Sequence, residues 1–262
     1  MGNRGARAGL AAVTVILASA GLLGQSHPSK PGARTAAPDL TGVWRRARRA
    51  PDKTRQYTVY ELAGILPSPA PPMTSWAEEK YKAAKPNIGP RGVPVAESND
   101  PVNNCAPPGV PRIYTSRLGA PFEIIQVPGR VIMLFEYDHF IRQIYIDGRK
   151  HPEDVNPSWM GDSVGHWEGD TLVVDTIGFN DKTWIDSDGH PHSDQLHVVE
   201  RIHRTSHDTM IDDMTIEDPK AYTKPWVSRS VFELKAGWSL MEYVCEDSDT
   251  FNDMEKLTES GK

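Results

Sequence analysis

The densest group of chemistry-bearing residues is Gly189-His190-Pro191-His192-Ser193-Asp194-Gln195-Leu196-His197-Val198-Val199-Glu200. On a strand, His-x-His sets two imidazoles on one face, which is the first half of many metal sites in β-barrels. His190, His192 and His197 are therefore candidate ligands for a divalent metal. Against that, Pro191 and the preceding Asp186-Ser187-Asp188-Gly189 spell a loop. His197 also has the wrong parity to join the other two on a continuous strand unless a bulge intervenes. A second chemistry needs neither metal nor organic cofactor: acid-base catalysis by a few titratable groups in a pocket that shifts their pKa values. His151, His166, Asp175, His192 and Glu200 are the catalytic candidates, with Arg142, Tyr145, Trp167 and Arg201 as substrate-binding or anion-stabilising partners. Each of these histidines also fits a hydrogen-bonded structural role. Gly161-Asp162-Ser163-Val164-Gly165 matches Gly-x-Ser-x-Gly, but that elbow needs a strand running into a helix, and a hairpin signal follows here. No glycine loop of the nucleotide-binding kind is present.

The elements that must position these groups are strands. After Pro121 apolar residues recur with period two, over Phe122 to Val127, Val131 to Asp138 and Phe140 to Asp147, with turn chemistry at Pro128-Gly129-Arg130 and Asp147-Gly148-Arg149. Ser163 to Trp167 and Thr171 to Ile177 flank Glu168-Gly169-Asp170 as a hairpin. Further strands fit Gln195 to His203, Thr209 to Ile216, Trp226 to Leu234 and Ser239 to Cys245. With Leu40 to Trp44 this makes roughly nine or ten strands and almost no amphipathic helix, which predicts a mainly β protein. An antiparallel barrel is favoured because closure leaves no exposed edge. From Pro67 to Pro111 prolines recur too often for a long helix or a central strand, leaving one short helical stretch over Trp76 to Ala84. This long irregular wrap is tolerated where it lines a site, acts as a lid or is pinned covalently.

Strand parity also singles out buried charge. Glu200 shares a face with Leu196, Val198 and Ile202; Arg142 shares one with Phe140, Ile144 and Ile146; Asp175 lies with Val173 and Ile177. A carboxylate on an apolar face must be paired or protonated, so Glu200 or Asp175 is expected to meet Arg142.

The first twenty residues read as a secretory signal: Arg4 and Arg7, an apolar run from Leu10 to Ala18, and Ala18-Ser19-Ala20 for cleavage. The run is shorter than the roughly 20 apolar residues of a spanning helix, so a cleaved leader and a periplasmic or secreted protein without a stable membrane anchor are expected. Residues 21–38 read as a flexible linker and 39–262 as a single barrel domain. Loss of Arg4 and Arg7 takes the formal charge from -6 to -8, and an acidic chain without a basic stripe argues against nucleic acid. In an oxidising compartment Cys105 and Cys245 are expected to form a disulfide, with two buried free thiols as the alternative.

The strings Arg142-Gln143-Ile144-Tyr145-Ile146-Asp147-Gly148-Arg149-Lys150-His151-Pro152, Ser163-Val164-Gly165-His166-Trp167-Glu168-Gly169-Asp170-Thr171-Leu172-Val173-Val174-Asp175-Thr176, Pro191-His192-Ser193 and Glu200-Arg201 closely resemble a large family of uncharacterised exported bacterial proteins. The resemblance runs from about Asp39 to Glu246 and carries no activity with it. Leu40 to Trp44 also resembles the Gly-x-Trp start of lipocalin-type barrels, which implies a cavity for a hydrophobic molecule. Three functions stay open: a lyase, isomerase or hydrolase acting on a small hydrophobic or aromatic molecule by cofactor-independent acid-base catalysis; a non-catalytic, lipocalin-like binder of such a molecule; and a metal-dependent enzyme using the His190 to His197 region.

Overall fold

The computed structural model describes residues 1–2, 38–47, 71–87, 89, 91–115 and 120–245. The signal and linker expected over 1–38 fall almost wholly outside these residues. Nine strands close into one barrel: β1 (Gly42–Arg46), β2 (Phe122–Val127), β3 (Arg130–Phe135), β4 (Ile141–Tyr145), β5 (Asp162–Glu168), β6 (Thr171–Ile177), β7 (His197–Ser206), β8 (Thr209–Glu217) and β9 (Trp226–Leu234). Each strand pairs with its neighbours in chain order, and β9 closes antiparallel onto β1. With an odd number of strands, strict up-and-down alternation would bring β1 and β9 together parallel. The one parallel pairing, β4 with β5, reverses the alternation and lets the barrel close antiparallel. A parallel neighbour needs a long crossover; here it is the segment 146–161, which carries His151.

Alternation does the sorting expected of it. Trp44, Phe122, Ile124, Met133, Ile144 and Val198 point inward and are buried. The segment Ser239 to Cys245, expected as a strand, is not one: the wall is already closed by β9, so this stretch has no edge to pair with. Cys245 is instead bonded to Cys105, with Cα atoms 5.6 Å apart.

Among its described residues the proline-rich wrap holds one α-helix, α1 (Ser75–Ala83). Thr74 caps it by accepting from the Ala77 amide, and Glu78 near the N-terminus with Lys80 and Lys82 near the C-terminus complements the helix dipole. Pro86 bars continuation. Later in the wrap, a buried Arg112–Asp100 ion pair of 2.5 Å fixes the chain just before a helical turn, Arg112–Thr115. That turn drives Tyr114 into the barrel, where its ring packs against Phe122, Phe135 and Phe232. The wrap is thus a plug, and the lumen is packed with side chains.

The disulfide ties the wrap to the corner between β3 and β4, where the Cys245 amide donates to Asp138 Oδ1. Its sequence separation of 140 makes it a long-loop cross-link. Replacing both cysteines with serine is expected to cost about 2–4 kcal/mol, read as a lower urea midpoint. Thiol titration of the unfolded wild type should find two thiols only after reduction.

Candidate functional site

Three sites gather the candidate residues, and they differ in kind. Inside the barrel, Arg142 of β4 and Glu200 of β7 are 1% and 0% exposed. Arg142 Nη1 donates to Glu200 Oε1 at 2.8 Å and Nη2 to Oε2. The remaining guanidinium contacts go to Ser163 at 3.2 and 3.1 Å, Thr176 at 2.9 Å and the Tyr114 hydroxyl at 2.5 Å. Burial, the largest influence, would lower the Arg142 pKa; the charges of Glu200 and Tyr114 and the hydrogen bonds to both together outweigh it, and the guanidinium stays protonated. All three guanidinium nitrogens are engaged within the protein, so the pair pins the register of the wall and has nothing left for a ligand.

Close by, Asp212 of β8 is 1% exposed, and neither of its oxygens meets a hydrogen-bond donor. Burial first, and the Glu200 charge second, push its carboxyl well above the ordinary carboxylate range. A protonated Asp212 sharing its hydrogen with Glu200 accounts for both facts, and leaves the lumen with one cation and one anion.

On the outer wall, Asp175 bridges two imidazoles: Oδ1 lies 3.0 Å from His151 Nε2 and Oδ2 lies 3.1 Å from His197 Nε2. His151 Nδ1 sits 2.6 Å from Asp162, and His197 Nδ1 is 3.4 Å from Glu217. Asp175 was expected inside with Arg142 but lies outside, because β6 is apolar on both faces and parity could not say which was the lumen. Val174 and Thr176 take the inward positions beside it. His166 and Arg201 are also on the outer surface, both bound to Glu168. Tyr145 lies under the Arg149 guanidinium at 3.8 Å, and Trp167 packs against the core.

The third site is a cleft of about 290 Å³ with no barrel-strand residue in its walls. Helix α1 contributes Trp76 and Lys80, the wrap Asn99, the chain after β6 Asp181, Thr183 and Trp184, and the loop before β7 Pro191 and His192. Of the residues expected to be catalytic, only His192 lies here. Its loop is firmly held. Ile185 donates to the His190 carbonyl at 2.8 Å, the Tyr222 hydroxyl to the Pro191 carbonyl at 2.7 Å, and the Ser193 amide and hydroxyl to Asp218 at 2.5 and 2.8 Å. Gly189, at φ +91°, lets α1 come close, since a β-carbon there would stand 2.7 Å from that of Ala84. The loop also orients Trp184, over which the Arg112 guanidinium sits at 5.3 Å.

His192 Nδ1 lies 3.1 Å from the Ser193 carbonyl, which can only accept, so the ring hydrogen is on Nδ1 and Nε2 carries the lone pair. Burial lowers the pKa of this imidazole, outweighing the Ser193 carbonyl and the charges of Asp218 and Asp181, and keeps it neutral. Its Nε2 and the Thr183 hydroxyl are both buried without a hydrogen-bond partner. Two such groups in one cleft are costly unless a ligand or an ordered water completes them.

The three histidines considered as metal ligands do not converge. His190 Nδ1 is bound to Asp186 at 2.9 Å and its ring stacks on Tyr81, His197 is on the outer wall, and His192 is in the cleft. Among the described residues no group of three His, Cys, Asp or Glu could hold a metal ion. The loop character of Gly189 to Ser193 is the reason, since without a continuous strand the His-x-His spacing does not face one way.

Trp76, Lys80, Thr183 and Trp184 were not anticipated from sequence. They lie in segments about 100 residues apart, and the sequence marked only Trp76, as the start of a short helix. Asp218, which anchors Ser193, was missed for the same reason. Fold and cleft together define a closed nine-stranded barrel with a histidine-bearing cleft beside the wall. No family model and no curated protein matches the chain.

Proposed function

We propose that the protein is an enzyme that moves a proton on a small hydrophobic or aromatic molecule in this cleft, with His192 as general base and no organic cofactor. The carrying observation is the fixed tautomer of a neutral imidazole whose basic nitrogen has no internal partner. A general base needs its lone pair free at the working pH, and burial serves that by holding back protonation. In this reading the Thr183 hydroxyl, which has no internal partner, donates to a substrate oxygen, and the indoles of Trp76 and Trp184 supply apolar walls. The disulfide supports an oxidising compartment, in keeping with export by the leader read in the sequence. Among the described residues no helix is long and apolar enough to cross a membrane.

Long-range 1H–15N correlation of the histidine rings across a pH titration tests the reading. His192 is expected to show hydrogen on Nδ1 and to remain neutral below the ordinary histidine pKa of about 6.5, taking up its proton only as pH falls further. A ring already protonated at pH 7, or hydrogen on Nε2, would remove the base.

A further inference from the structure

We infer that the ligand of the cleft is a small aromatic acid, its ring between Trp76 and Trp184 and its anionic group at Lys80. The inference rests on the proposed function only for the site it shares; the ligand class comes from other atoms.

Size comes first. A volume of about 290 Å³ is at the small end of ligand pockets, enough for a metabolite built on a single ring system. Both large apolar side chains in the walls are indoles, which favour a flat π-system over an aliphatic chain.

Charge comes second. The chain carries a formal charge of -6, yet the aromatic wall of the cleft is edged by ammonium groups. Lys80, in the lining, holds Nζ 6.0 Å from the centroid of the Trp76 ring, and Lys220 holds its own 5.0 Å from the same centroid. Among the described residues neither lysine has a carboxylate partner, whereas Lys82 on the same helix pairs with Glu78 and Lys235 with Glu233. The one carboxylate in the lining, Asp181, comes from the opposite segment, next to Thr183. Lys80 is exposed, so a carboxylate on the ligand would meet it at the mouth of the cleft while the ring lies inside, a solvated contact that contributes modestly.

Phenylacetate is the probe, with phenylacetamide as its neutral isostere. Calorimetric titration of the full-length mature protein is expected to give a Kd of about 1 mM or tighter for phenylacetate, within reach of a ligand of this size. The amide should bind about threefold to tenfold weaker, the loss expected where a carboxylate meets two exposed ammonium groups. The Lys80→Met/Lys220→Met double variant should weaken phenylacetate about threefold to tenfold and leave the amide unchanged.

Equal affinity for acid and amide, or unaltered phenylacetate binding by the lysine double variant, would overturn the anionic assignment. No binding of either probe would overturn the aromatic one, and would do so while the NMR titration of His192 still upheld the base. A protonated His192 together with selective phenylacetate binding would separate the two in the other direction.

Discussion

Replacing His192 with glutamine is expected to lower turnover by about 10²–10⁴-fold on any substrate the cleft converts, the usual contribution of a positioned general base. His192→Asn belongs beside it, because the asparagine amide nitrogen stands where Nδ1 stood and can still donate toward the Ser193 carbonyl, so the loop keeps its hydrogen bond while the basic nitrogen is lost. Circular dichroism and the unfolding midpoint should stay close to wild type. The wild-type rate should also carry the signature of the lowered pKa: activity persists as pH falls through about 6.5 and is lost only below it, as Nε2 is protonated. Turnover within about twofold of wild type would mean that the imidazole is structural. A protein that only binds its ligand would show changed affinity and no turnover to lose.

The second large effect concerns the lumen. Arg142→Met is expected to destabilise the barrel by about 3–5 kcal/mol, measured by urea denaturation, because it leaves Glu200 buried and unpaired next to Asp212. Tyr114, Ser163 and Thr176 lose a charged donor at the same time. The double variant Arg142→Met/Glu200→Met should recover most of that loss, since replacing both members of a buried pair with apolar groups is often neutral or stabilising. Catalysis in the double variant should remain near wild type if the pair only fixes strand register. A large loss of activity with recovered stability would instead give the lumen a chemical role.

Much of the wall could be read before folding was considered. Thr171 to Ile177 and Trp226 to Leu234 match their strands to the residue, and the short helix of the wrap is displaced by a single position. These segments carry their signal locally, in period-two alternation bounded by turn residues. Glu200 was legible for the same reason, since one charge among Leu196, Val198 and Ile202 has no solvated face to use. Asp175 was not, because Val173 and Val174 are both buried and the pattern around it has no wet side. Ser239 to Cys245 alternates like a strand but meets a barrel that is already closed, and pairing is a property of two segments.

What the residues determined by themselves was a mainly β chain, a barrel as its favoured closed form and a buried carboxylate at Glu200; that Cys105 and Cys245 are bonded was settled by their meeting in the fold. The first three follow from local periodicity or from counting. Tertiary structure alone decided that the lumen is plugged by Tyr114, that Arg142 spends its hydrogen bonds on the wall, and that His192 shares a cleft with Trp76, Thr183 and Trp184. Such convergence depends on where loops and a wrap cross the outside of the barrel. That is set by long-range closure and packing, which no stretch of sequence encodes locally.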